Sequence, residues 1–143
     1  HSAYAINELG NTVTQFNYDP ASGTLLEQQT ISTIPDSFDG ITHTADLKIT
    51  PDGRFLYGTN RGHDSIAAYA ISDTGKLSLI GIEPSGAEQP QNLAITPDGR
   101  MLLCANMSGN RVILVQIDGQ SGQISPTGEE VSIPMPSCIL IAA

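Results

Sequence analysis

Tryptophan is absent from this sequence, phenylalanine and tyrosine are sparse, and six lysines and arginines stand against fifteen aspartates and glutamates. With so few large rings, a core has to be assembled from valine, isoleucine and leucine, which suits many short strands. With a formal net charge of −9, nothing is left to neutralise rows of phosphates. Nucleic acid is therefore excluded as a partner, and so is an anionic membrane surface. A small anionic molecule is not excluded, because one or two well-placed arginines suffice to hold it. Long apolar runs are missing as well; none approaches the ~18 residues of a transmembrane helix. The chain starts at His1-Ser2-Ala3-Tyr4 with neither an initiator methionine nor a signal-peptide pattern. It opens inside a strand-like run, as though it continued something longer, and a cytoplasmic location is expected. The two cysteines, Cys104 and Cys138, lie far apart in apolar runs with no histidine at ligand spacing. A pair of buried reduced thiols is expected, with no metal site. There is no Gly-x-Ser-x-Gly elbow, P-loop or dinucleotide fingerprint, and no cofactor is expected.

What is present is a hexapeptide used twice: Ile49-Thr50-Pro51-Asp52-Gly53-Arg54 and Ile95-Thr96-Pro97-Asp98-Gly99-Arg100, 46 residues apart. Proline presets φ at the first corner of a type I turn, aspartate suits the second, and glycine supplies the positive φ of a bulged hairpin. Residues 47–50 and 55–59 are thus predicted to pair antiparallel, and likewise 93–96 and 101–105. Around these landmarks the chain divides into units: 1–44, 45–91 and 92–135, followed by a single strand-like run over 136–143. The second and third units each read as four short strands with turns between. The first aligns with them through Tyr4 with Tyr57, Asn7 with Asn60 and Phe16 with Tyr69, but lacks an opening strand. Gly23, Gly75 and Gly122 mark one later turn in all three.

Four-stranded units of about 40–50 residues are the blades of a β-propeller, so the predicted class is all-β with about three blades. That falls short of the roughly four to eight blades that close a ring. The expectation is an incomplete ring whose open faces are covered by upstream blades or by a second copy, the last strand completing a blade that lacks one.

The sequence resembles the C-terminal part of the lactonase-type seven-bladed β-propellers, a family that includes propeller-form 6-phosphogluconolactonase and carboxy-cis,cis-muconate cyclase. The resemblance is carried by Ile6-Asn7-Glu8-Leu9, by Asn60-Arg61-Gly62-His63-Asp64-Ser65, and by the run 133–141. It implies hydrolysis of a small anionic lactone without a cofactor, with Glu8 and Arg61 in the pocket and further pocket groups upstream. Muconate-type lactonisation and a non-catalytic scaffold are the alternatives.

The residues give their own reason to single out the same pair. Glu8, Arg61 and Met107 occupy equivalent turns, and radial repetition aims such turns at one end of the ring. A carboxylate there can activate water and an arginine can hold an anion or a developing oxyanion. A surface ion pair making only turn contacts is the competing reading. His43, His63 and Asn60 are added as substrate-binding candidates. Asn60, though, recurs as Asn7 and Asn106, which points first to turn formation, and Asp64 reads as a turn cap rather than as a partner of His63.

Overall fold

The computed structural model describes residues 1–142, and every regular element among them is a β-strand. The first sheet holds β1 (Ser2–Asn7), β2 (Thr12–Asp19) and β3 (Thr24–Ser32). The second holds β4 (His43–Ile49), β5 (Phe55–Arg61), β6 (Ser65–Ile71) and β7 (Leu77–Pro84). The third holds β8 (Pro90–Ile95), β9 (Met101–Asn106), β10 (Arg111–Ile117) and β11 (Ile124–Ser132). Each strand pairs antiparallel with its neighbour in sequence, so the sheets are blades of three, four and four strands. The paired strands run longer than predicted: β4 starts at His43 and β8 at Pro90, and β5 and β9 end at Arg61 and Asn106, because the ladder extends through His43 opposite Arg61 and Pro90 opposite Asn106. No helix among the described residues is long and apolar enough to cross a membrane.

The repeated hexapeptide forms the hairpin between the first two strands of each complete blade. Gly53 and Gly99 sit at φ 75° and 70°, and each donates its N–H to the threonine carbonyl that opens the turn at 2.8 Å. The threonine hydroxyl donates to the aspartate two residues on, and that aspartate accepts the following arginine's amide. The Thr50 hydroxyl and then the Arg54 guanidinium hold the Asp52 carboxyl down at about 2. The Thr96 hydroxyl, with the Arg100 amide behind it, lowers Asp98 in the same direction.

Packing follows from the two-residue period of a strand. On β5 and β6, Phe55, Tyr57, Ile66 and Ala68 face the third blade, in a cluster with Leu93, Leu102, Cys104 and Val115. The intervening Leu56, Ala67 and Tyr69 face the first blade, against Val13, Tyr4 and Ile6. The central blade is therefore covered on both sides, with Leu56, Tyr57, Ile66 and Tyr69 fully buried. Each such side chain stabilises the fold by roughly 1.5–3 kcal/mol. Tyrosine hydroxyls stitch the blades together. Tyr4 donates to the Gly75 carbonyl of the second blade at 2.7 Å, and Tyr57 to the Gly122 carbonyl of the third at 2.9 Å.

Two expectations are corrected. The run 136–142 forms no ladder among the described residues; residue 143 lies outside them. Its Ile139 amide nevertheless donates to Asn92 Oδ1 at 2.7 Å, as the Leu93 amide donates to Asp46 Oδ2 at 2.8 Å. The tail thus stands where an innermost strand of a next blade would begin. Cys104 is buried as expected, but Cys138 is exposed, on a tail that joins no ladder. Both are free thiols, and burial pushes Cys104 up to about 12.

Tyr57→Phe removes a buried hydrogen bond and orphans the Gly122 carbonyl, so it is expected to cost about 1–2 kcal/mol in denaturant unfolding. A change within error would show that this latch adds nothing to stability. The depressed Asp52 and Asp98 carboxyls set a second test. An aspartate with a lowered folded pKa contributes fully above its unfolded value near ~4 and loses that contribution as the pH falls through its folded value, about 2 for Asp52. Amide protection factors at Arg54 and Arg100 are expected to drop across that window, and to become flat there in the double variant Asp52→Asn, Asp98→Asn.

Candidate functional site

At the opposite strand ends, β1–β2, β5–β6 and β9–β10 are joined by short turns at equivalent positions. Asn11, Asp64 and Asn110 each take a left-handed backbone there, at φ 49°, 53° and 53°. Short Asx side chains tolerate this conformation, and Asp64 also accepts the amides of Gly62 and Gln89 through Oδ1. The turn-cap reading of Asp64 therefore agrees with its contacts. The same turns carry Glu8, Arg61 and Met107 at equivalent positions on three successive blades.

Glu8 and Arg61 meet directly. Arg61 Nη2 donates to Glu8 Oε1 at 2.5 Å and to the Thr44 carbonyl at 3.1 Å, while Nη1 reaches Gln91 Oε1 at 3.4 Å. One guanidinium thus touches a carboxylate of the first blade, a carbonyl of the second and an amide of the third. The Glu8 carbonyl also accepts the Thr44 amide at 3.1 Å, tying the first blade to β4. The arginine side chain is 21% exposed and the glutamate 63%. A pair this open is worth at most ~1 kcal/mol of stability, so what it fixes is the aim of the two groups.

The other candidates lie around this pair in different ways. His43 opens β4 directly opposite Arg61 in the ladder, and its Nδ1 is buried without a protein partner. Arg61 Nε, Thr44 Oγ1 and Asn60 Oδ1 are likewise buried and unpaired, so the two successive pairs His43–Arg61 and Thr44–Asn60 concentrate free hydrogen-bonding capacity. His63 joins a separate chain of contacts. Its Nδ1 lies 2.7 Å from Ser65 Oγ, which also accepts from Asn60 Nδ2 at 3.0 Å. The Phe38 ring meets the imidazole edge-on at 4.6 Å.

Asn60 is corrected as a substrate-binding candidate, for it has no exposed surface. Its amide is committed to the Thr33 carbonyl of the first blade and to Ser65, which is the blade-forming role that its recurrence suggested. Two contributors carried no signal in the sequence. The Thr44 carbonyl is a backbone group, and Gln91 aligns with an alanine in the second unit. An apolar cleft of about 110 Å³ between Pro84–Gly86 and Ile113–Ile124 has no cation in its lining. Among the described residues, no group of three or more His, Cys, Asp or Glu side chains is placed to hold a metal ion.

Comparison with known proteins fits this arrangement. The 6-phosphogluconolactonase of Bacillus subtilis (strain 168) is 32% identical over 138 residues, which make up 96% of this chain and 40% of that protein. The structure of the periplasmic gluconolactonase PpgL of Pseudomonas aeruginosa superposes with a TM-score of 0.90 at 31% identity, covering 95% of this chain and 38% of that one. A crystal structure of a protein from Lactobacillus plantarum superposes with a TM-score of 0.92 at 25% identity, covering 96% and 40%. This chain thus spans about 40% of the length of the curated relatives it matches. The family model described as a seven-bladed β-propeller lactonase matches residues 1–141, and with three consecutive blades in place the chain belongs to that family.

Proposed function

We propose that this chain supplies three blades of a ring that hydrolyses a small anionic lactone, without a cofactor, and that Glu8 and Arg61 carry the chemistry. The observation behind this reading is the meeting of one open carboxylate and one half-buried guanidinium from neighbouring blades, with Arg61 anchored on a third. The names of the lactonase relatives supply the reaction class.

Glu8 takes a proton from water as the water oxygen attacks the lactone carbonyl carbon. The carbonyl becomes a tetrahedral oxyanion, and the Arg61 guanidinium, already held by Thr44 and Gln91, stabilises the new charge or a substrate carboxylate or phosphate. Collapse breaks the ring C–O bond, and the proton returns from Glu8 to the leaving alkoxide. The product is an open hydroxy acid, and no other reactant is consumed. His43, beside Arg61 on the ladder, and His63, behind it, serve as substrate-facing groups at the rim of the same end.

The test uses the complete ring with 6-phosphogluconolactone as substrate. Glu8→Gln and Arg61→Met are each expected to lower kcat/KM by about 100-fold or more, the usual scale for losing a general base or an oxyanion partner. Thermal stability should stay nearly constant for Glu8→Gln, since that carboxylate is open to solvent, and fall further for Arg61→Met, which also loses the Thr44 and Gln91 contacts. Turnover at the parent rate in both variants would remove these residues from the mechanism. Absence of turnover by the parent ring over a panel of lactones would favour the scaffold reading.

A further inference from the structure

We infer that Asp39 is a site of spontaneous covalent modification, isomerising to an isoaspartyl link, and that this change loosens the hold of the 33–42 loop on His63. The inference rests on hydrogen bonding and packing around the loop and is independent of the catalytic reading.

Four aspartates in the chain are followed by glycine: Asp39, Asp52, Asp98 and Asp118. An Asp-Gly step is open to this chemistry because glycine has no Cβ to keep its amide nitrogen away from the preceding carboxyl. The nitrogen bonds to the side-chain carboxyl carbon, a carboxyl oxygen leaves as water, and a five-membered succinimide closes. Water then adds to one of the two ring carbonyls and breaks its bond to nitrogen. Opening at the side-chain carbonyl restores aspartate. Opening at the main-chain carbonyl leaves the backbone running through the former side chain. One water leaves and one returns, so no other reactant is needed.

The fold protects three of the four steps. Asp52 and Asp98 each accept the hydroxyl of the threonine two residues before and the amide of the arginine two residues after. The Gly53 and Gly99 amides, which would be the nucleophiles, are bonded to the threonine carbonyls at 2.8 Å. Asp118 accepts the Gln120 and Ser121 amides at 2.7 and 3.0 Å, and its own N–H and carbonyl bond to Gln123 and Gly122. The reacting carboxyl is the neutral acid. The Thr50 and Thr96 hydroxyls and the Ser121 amide, foremost among these bonds, hold the three carboxyls below the ordinary aspartate range and so keep them ionised. Asp39 lies in the loop between β3 and β4, where both it and Gly40 are exposed. Among the described residues, neither its carboxylate nor the Gly40 amide makes a hydrogen bond.

This step lies between two anchors on the same turn. On one side, Phe38 meets the His63 ring edge-on at 4.6 Å, and its ring stands where a Cβ of Gly40 would point. On the other, the Ile41 carbonyl leaves no room for a Cβ at Gly62, and the Thr42 hydroxyl accepts the His63 amide at 3.4 Å. An isoaspartyl link adds one carbon to the main chain, roughly 1.5 Å of bond length, between these anchors. With so short a span the added length is not absorbed within it. Either Phe38 leaves the imidazole or Thr42 leaves the His63 amide.

The complete protein, incubated folded at mildly acidic pH, tests this by peptide mapping with a protease that cuts before aspartate but not before isoaspartate. Isoaspartate is expected at Asp39 at least about tenfold faster than at Asp52, Asp98 or Asp118, since an open loop is exposed without unfolding and a bonded turn is not. In denaturant the four steps should react at similar rates. No isoaspartate at Asp39, equal rates at the four steps in the folded protein, or the same lead for Asp39 in denaturant would each overturn the inference. NMR of the aged protein is expected to show a second set of His63 amide and imidazole signals that grows with isoaspartate at Asp39. Unchanged His63 signals at half conversion defeat the link to His63. Asp39→Glu keeps the charge but would have to close a six-membered ring, so it should neither isomerise nor gain the second set. A second set in that variant would place the cause elsewhere and likewise defeat the link.

Discussion

A four-stranded blade has two apolar faces, and neither can be left in water without a cost of many kcal/mol. The rest of the fold follows from that constraint. The second blade meets it through the strand period, sending Tyr57 and Ile66 one way and Leu56 and Tyr69 the other. The first and third blades are its two covers, and each keeps one face free. Apolar contact alone would let blades slide over one another. The tyrosine hydroxyls on glycine carbonyls, and the Asp46 and Asn92 side chains on the next inner strand's amide, fix the register with directional bonds.

The two ends of each blade do different work. At one end the Pro-Asp-Gly hairpin is internally satisfied, with its aspartate occupied by a hydroxyl and an amide, and it has little left to offer a ligand. At the other end the Asx residue shapes the turn, and a different side chain follows the strand on each blade. That position is glutamate, then arginine, then methionine. A repeating scaffold thus places three different side chains at equivalent points around one axis, and two of them form the charged pair. With the Glu8 side chain 63% exposed, the ion pair itself contributes at most ~1 kcal/mol to stability.

The two junctions in the chain are alike, while the outer faces differ. At Gly23 nothing lies within 4 Å of the position a Cβ would take, whereas Gly75 and Gly122 are crowded; on the third blade the Ile139 amide bonds Asn92 as the Leu93 amide bonds Asp46. The chain belongs to a seven-bladed family and spans about 40% of a relative's length.

The 46-residue spacing of the hexapeptide was enough to determine the blade, its strand order and its hairpins, because turn chemistry and strand period are local properties of the backbone. Glu8 and Arg61 were legible as candidates for the same reason, since equivalent turns sit at equivalent ends. Their contact, the anchoring of Arg61 by the Thr44 carbonyl and Gln91, and the burial of Asn60 were decided only by the tertiary structure. So were the exposure of Cys138 and the unpaired state of the tail, which read as a strand from its apolar residues. The physical reason is common to all of them. A strand and its turns are written in neighbouring residues, whereas burial, pairing and the meeting of side chains depend on which blade lies next to which.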